Sequence, residues 1–288
     1  MAFGLLTTDS KEVSSSTAGT STGSYLIPTT LFGELIRAMR KNLVLSGLAA
    51  KRIGPDSIPG SSIYITTQTP ETIVVNRVEQ GGEIPLDHED YSGFNLRPIK
   101  YGVRIGITKE QIEDSAWDVM GLNVETAGYE FADNEESLIV AQLDAASTEA
   151  SHNVANSNAT LPVSDITAAM QNLEADNHIP SHLIIGVEVA NDIRNIDSFH
   201  EADKSGGVSP QDRLIGTIYG MKVIVTNNVS SVLAYVIDAR YSFIIAEKRP
   251  VTMQRYSDYS RDVEYGVVTQ RIAVRYLREN ATSEITTT

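Results

Sequence analysis

Cysteine is absent from the 288 residues, which excludes disulfides, thiolate metal sites and cysteine nucleophiles in one step. Cohesion must come from packing alone. Basic residues are also scarce: 23 Lys and Arg stand against 37 Asp and Glu, a net charge of −14. Gripping phosphates takes clustered Lys and Arg, so tight nucleic-acid binding is not the expected task. No apolar run approaches about 18 residues, so no membrane span is expected. The opening MAFGLLTTDSKE turns charged at Asp9, too early for a signal peptide. The N-x-S/T sequons at Asn158, Asn228 and Asn280 therefore have no implied secretory route and read as chance matches. Catalytic signatures are missing too: there is no G-x-x-x-x-G-K-[ST], G-x-G-x-x-G, H-E-x-x-H or G-x-S-x-G. Neither an enzyme nor a cofactor is expected. His178 and His182 have ligand-like spacing, but Pro180 between them breaks any shared helical face. Asp87-His88-Glu89-Asp90 has carboxylates that suit a hard cation, yet it reads first as a solvated loop tip.

The polar start, TTDSKEVSSSTAGTSTGS over residues 7–24, has almost nothing to bury and reads as a flexible arm unless a partner orders it. After Tyr25-Leu26-Ile27-Pro28, Thr29 and Thr30 can cap a helix. Leu31, Leu35, Ile36, Met39 and Leu43 mark its apolar face, and Arg37, Arg40 and Lys41 lie on the other side. Residues 56–115 are the most distinctive. Ser62–Thr67 running on to Thr72–Val78, and then Phe94–Ile107, are rich in β-branched residues at period two and read as strands. A Gly/Pro/acid segment separates them. Roughly 45 residues of hairpin with no helix to cover it cannot bury both faces within one subunit. Such an element packs on another copy of the chain.

Thr108 with Gln111 forms a capping box, and a helical region is expected to about Ala150. Trp117, Met120, Val124, Ala127, Phe131, Leu138, Ala141 and Ala145 make one apolar stripe, broken only by Asn134. Gly121 and Gly128 each cost about 1 kcal/mol relative to alanine, so the first turns are expected to bend or break. Residues 151–160 read as a polar linker. Beyond it come a helix over Asp165–Asn177 capped by Ser164, a strand at His182–Gly186 and a helix over Val187–Ile196. A Gly/Ser/Pro loop over Glu201–Gln211 precedes strands at Met221–Thr226 and Leu233–Asp238. This is a compact α/β unit. From Ser242 the chain turns β-like, and Val251–Tyr256 and Gly266–Leu277 are expected to pair with each other and with residues 99–107 beneath the long helix.

Three stretches in this order resemble the HK97-fold viral major capsid proteins. Val78-Glu79-Gln80-Gly81-Gly82-Glu83-Ile84-Pro85, then Arg97-Pro98-x-Lys100, then Ile107-Thr108-Lys109-Glu110-Gln111-Ile112-Glu113-Asp114-Ser115 match their extended loop and spine helix. Gly220-Met221-Lys222-Val223-Ile224-Val225-Thr226 is similar to their axial-domain strand, with Lys222 where proline is usual. Ala234-Tyr235-Val236-Ile237-Asp238 followed by Arg249-Pro250-Val251-Thr252 resembles the return to the peripheral domain. The resemblance implies an α+β, HK97-like fold. Its expected parts are an N-terminal arm (1–24), an N-terminal helix region (25–54), an extended β-hairpin loop (55–100), and a peripheral domain with spine helix (101–160). An inserted α/β axial domain (161–245) and peripheral strands with a C-terminal tail (246–288) complete it. It further implies a structural protein of the virion, made in the host cytoplasm, that assembles as pentamers and hexamers. The icosahedral shell would enclose double-stranded DNA of a tailed bacterial or archaeal virus without sequence-specific binding.

Two other readings fit the same composition. One is an encapsulin-type nanocompartment shell, and the other is an unrelated binding protein or enzyme of small oligomeric state. Arg77, Glu79, Glu83, Arg37 and Arg40 are the candidate intersubunit contacts. The basic groups Arg37/Arg40/Lys41 and Arg271/Arg275/Arg278 could face nucleic acid or a neighbour's acidic surface, and the net charge favours the neighbour. Because Tyr25 follows Met1 so closely, a separate scaffolding protein is expected, together with a portal protein and a decoration or cement protein.

Some capsid relatives cross-link their subunits through a lysine in the extended loop. Between Arg52 and Ile99 this sequence has no lysine, and arginine stays protonated and cannot serve as the nucleophile. The shell is therefore expected to be non-covalent. Denaturing gels of mature particles should show the chain at its monomer mass of 31.3 kDa; a ladder of covalent multimers would contradict this.

Overall fold

A computed structural model describes Leu35 and residues 43–68, 73, 75–88, 91–115, 119–156, 160–194 and 216–287. Its axis is a helix of 32 residues, α2 (Val119–Ala150). A short helix, α1 (Lys109–Asp114), precedes it. The α1 cap is the expected box: Gln111 N donates to Thr108 Oγ1, and Thr108 N donates to Gln111 Oε1. Ser115 turns extended and ends α1, so the expected break falls before Gly121, and α2 runs through both glycines.

Two sheets pack along α2. The first has the order β1-β10-β11-β4, from β1 (Lys51–Ile53), β4 (Ile99–Thr108), β10 (Phe243–Asp258) and β11 (Val263–Tyr276). The pairing of β10, β11 and the 99–107 arm is the one expected from their alternation. The second sheet has the order β5-β12-β9-β6-β8-β7, from β5 (Asn153–Asn156), β6 (His182–Ile185), β7 (Thr217–Ile218), β8 (Met221–Val225), β9 (Leu233–Ile237) and β12 (Thr282–Thr287). Two helices, α3 (Val163–Ala175) and α4 (Val187–Arg194), complete this α/β unit, with Ile166, Ala169, Leu173, Val189 and Ile193 in its core. A separate two-stranded ribbon joins β2 (Ile63–Gln68) to β3 (Tyr91–Leu96).

Several expectations change. The apolar stripe of α2 holds through Met120, Val124, Ala127 and Phe131, then continues along Ala132, Glu135, Glu136, Ile139, Leu143 and Ala146. Ala141 is exposed and Leu138 only half-buried. Glu135 and Glu136 occupy buried positions, so a stripe traced through apolar residues alone skips a turn and loses register. Residues 153–156 are not linker but an edge strand paired in parallel with β12. The α3 cap is Pro162 rather than Ser164, whose hydroxyl instead bonds Asp165. Of the N-terminal helix only Leu35 is described; it is helical and buried against Ile107, Met120 and Phe131. Trp117 and the loop 201–211 lie outside the described residues.

The C-terminal residues, expected as a tail, include β12, which lies inside the six-stranded sheet between β5 and β9. TSEITT has almost no hydropathy signal, yet it is nearly all buried. Its carboxylate is hydrogen-bonded locally: Ser147 Oγ donates to Glu284 Oε2 at 3.1 Å and Thr286 Oγ1 to Glu284 Oε1 at 3.0 Å, while the buried Thr282 hydroxyl has no partner among the described residues. Burial raises the Glu284 carboxyl above its ordinary value; the two hydroxyls oppose the rise and neighbouring Asp144 reinforces it. A raised folded-state pKa contributes stability that is complete below the unfolded value and is lost as pH rises through the folded one. Glu284→Gln removes that ionisation. Thermal melts should show wild type losing stability relative to E284Q as pH rises above the ordinary carboxylate range; parallel curves would refute it.

Candidate assembly surfaces

The β2–β3 ribbon is pinned at its base. Register runs from Ile63↔Leu96 at the base to Gln68↔Tyr91. At the base, Ile63, Ile65, Phe94 and Leu96 pack with Ile53, Ile58, Ile244 and Ala246. Lys248 Nζ donates to the carbonyls of Ile58 and Gly60, and the Arg275 guanidinium sits 5.6 Å over the Phe94 ring. Tyr64 between Ile63 and Ile65, and Tyr91 at the other end of the register, are exposed.

Beyond the ribbon, the described residues of 73–88 form no strand, which corrects the expected strand over Thr72–Val78. The β-branched residues are there, but no neighbouring strand is, and propensity without a partner does not make a ladder. Val75 is 96% exposed, Ile84 79% and Leu86 84%. Gly82 N donates to Glu79 O at 2.9 Å, and Gly81 has φ +84°. This is a β-turn whose third residue needs the left-handed region. It reverses the chain and sets Glu79 and Glu83 on its two flanks. Arg77, Glu79 and Glu83 are all exposed. Arg37 and Arg40 lie outside the described residues.

The four-stranded sheet has two unlike faces. On one, Ile107, Val251 and Val268 meet the first half of α2, and Ile245 and Ile272 meet the second. On the other, the ribbon base covers only the end near Ile244 and Ala246. The register leaves Lys100, Arg104, Arg271 and the stacked pair Tyr256/Tyr265, with centroids 4.9 Å apart, on the uncovered remainder. That these residues share a face is not legible in the sequence, because strand register decides it.

Other sequence candidates take structural partners. His178 lies 3.8 Å from Asp238 and 5.6 Å from the Tyr241 ring, while His182 bonds Ser181. Burial would raise the Asp238 carboxyl, but hydrogen bonds from Arg240 and the Ile179 amide hold it below the ordinary range. Arg271, Arg275 and Arg278 do not form one patch: they reach Pro98 O, the Tyr276 ring and the Tyr241 ring respectively. A cleft of about 460 Å³ between α2 and the turn after β8 is lined by Glu130, Asp133 and Glu136 with Asn227 and Asn228.

Residues 94–277 match the family model described as phage capsid protein. No curated protein matches the sequence. Among solved structures, that from Mycobacterium phage Che8 aligns at TM-score 0.66 with 13% identity, over 84% of this chain and 90% of the other. The capsid of cyanophage P-SCSP1u aligns at 0.69 with 10% identity, over 85% and 88%. A virus-like particle from Pyrococcus furiosus aligns at 0.59 with 15% identity, over 88% and 96%. At these identities the likenesses establish the fold, which is the HK97-like capsid fold. The family match spans well over half of the chain. The chain belongs to the phage capsid protein family, and it is a shell protein of a phage capsid.

Ribbon geometry leaves one position with no tolerance. A Cβ on Gly93 would lie 2.5 Å from Ile65 O and 2.8 Å from the Tyr64 ring. Gly93→Ala should therefore destabilise the ribbon by about 1–3 kcal/mol. Limited proteolysis should then cut between residues 63 and 96 faster than in wild type while the sheets stay intact; unchanged protection would count against it.

Proposed function

We propose that the chain is the major capsid protein of a tailed double-stranded DNA virus, assembling as pentamers and hexamers into an icosahedral shell. The observation that carries this reading is the ribbon with its segment 75–88: anchored at one end, with Val75, Ile84 and Leu86 exposed beyond it. In this reading residues 1–24 are the arm, 25–54 the N-terminal helix region and 55–100 the extended loop. Residues 101–160 are the peripheral domain with α2 as spine, 161–245 the axial domain, and 246–288 the peripheral return and tail, with β12 running in the axial sheet. Arg77, Glu79, Glu83, Arg37 and Arg40 contact neighbouring copies. The DNA is enclosed without sequence-specific contacts, in keeping with a net charge of −14. A separate scaffolding protein, a portal protein and a decoration or cement protein are the partners, and assembly takes place in the host cytoplasm. The chain's role is structural. A cellular nanocompartment shell is the second reading, and the match to a phage capsid family weighs against it.

Deleting Thr69–Asn95 should leave soluble monomers or capsomers and abolish closed shells, as seen by electron microscopy and sedimentation. Normal particles from that deletion would overturn the assignment. Exposed ion pairs contribute only about 0–1 kcal/mol each, so single substitutions at Arg77, Glu79 or Glu83 should weaken assembly slightly.

A further inference from the structure

The rim where β9 turns into β10 brings two arginines to one exposed ring. Tyr241 N donates to Asp238 O at 3.0 Å and closes the turn, and Arg278 N, just past β11, donates to Tyr241 O at 3.1 Å. Backbone hydrogen bonds thus fix the two segments against each other. The Arg240 guanidinium lies 5.6 Å from the Tyr241 ring centroid and that of Arg278 lies 5.7 Å from it, both within the range of cation–π attraction. Tyr241 itself is 41% exposed. Buried Asp238 grips Arg240 side-on: Nε donates to Oδ1 at 3.1 Å and Nη2 to Oδ2 at 2.9 Å. That grip leaves the donors of Arg240 Nη1 without an acceptor among the described residues. Arg278 pairs with no carboxylate among them. Beside the ring, the Nδ1 of buried His178 has no hydrogen-bond partner there, since Asp238 is 3.8 Å away.

These groups match one ligand chemistry. A guanidinium is a planar fork whose N–H groups fit the oxygens of a phosphate, and it stays charged at any working pH. Stacking on Tyr241 restrains both forks before a ligand arrives, which lowers the entropy lost on binding. Asp238 does not compete for them. Its two oxygens already accept from the Arg240 side chain and from the amides of Arg240 and Ile179. We propose that Arg278 and the Nη1 of Arg240, held at Tyr241, form a binding site for a phosphate group, supplied by the backbone of the enclosed double-stranded DNA or by free phosphate. The DNA source rests on the capsid reading, and the site itself does not. One such contact per subunit, repeated around a shell, gives a weak and sequence-independent hold. That suits a chain of net charge −14, on which a broad phosphate-gripping surface is not expected.

The test uses the unassembled full-length chain, so it does not depend on shell formation. Arg278→Gln removes a guanidinium on which no described carboxylate relies, and the variant should fold. Inorganic phosphate, compared with chloride at equal ionic strength, should raise the melting temperature of wild type by about 2–4 °C more than that of the variant. Binding to a short double-stranded DNA fragment should weaken at least about threefold, and the slope of log affinity against log salt should fall by about one. Loss of both responses supports the site and assigns the DNA backbone. Loss of the phosphate shift with DNA binding unchanged supports it and assigns free phosphate. Tyr241→Leu, which releases both guanidiniums from their ring, should act in the same direction. Phosphate and DNA responses unchanged in both variants overturn the site. Loss of shells in Arg278→Gln with both responses intact overturns it in favour of a neighbouring copy's carboxylate. Wild type that forms no shells would count against the capsid reading while the phosphate measurement still decides the site.

Discussion

Two adjacent buried carboxylates hold this subunit together. Glu135 and Glu136 sit midway along α2, 0% and 2% exposed, in a turn that would otherwise be apolar. Glu136 accepts the backbone amides of Val44 and, at 2.7 Å, of Leu45, and the hydroxyl of Thr226 at 3.4 Å. Burial raises its pKa, and those amides pull it back. Glu135 accepts from Ser46 at 2.9 Å and Gln270 at 3.4 Å, and pairs with Arg52 at 3.3 Å, which also bridges to Glu247. One turn of helix thereby ties together the N-terminal segment, β1, β10, β11 and the turn after β8. A buried charge left without partners costs far more than the pair contributes, so these contacts form together or not at all. They join the four-stranded sheet to the six-stranded one without a disulfide.

With the inner faces closed on α2, the ribbon, its protruding segment and the basic sheet face lie outside that junction. A closed shell repeats the same contacts around every subunit, and linked weak contacts reach stability none has singly. The chain has no cysteine, and no lysine between Arg52 and Ile99.

How much of this was legible depends on how local the deciding interaction is. The Thr108–Gln111 box, the strands around Leu183, Val223 and Val236, and the pairing of β10 with β11 follow from patterns within a few residues. The family order along the chain was readable for the same reason. Glu135, Glu136 and Glu284 were not, because a carboxylate reads as surface until its partners, up to 137 residues away in the case of Ser147, are in place.

By itself the sequence determined most element types, the absence of any disulfide, and a loop with no helix of its own to cover it. Those are consequences of side-chain chemistry and short-range periodicity. Only the tertiary structure decided that TSEITT is an interior strand, that the stripe of α2 runs through two glutamates, and that Lys100, Arg249 and Arg271 stand in one row. Each depends on register between distant strands, and a shift of one residue turns every side chain to the opposite face.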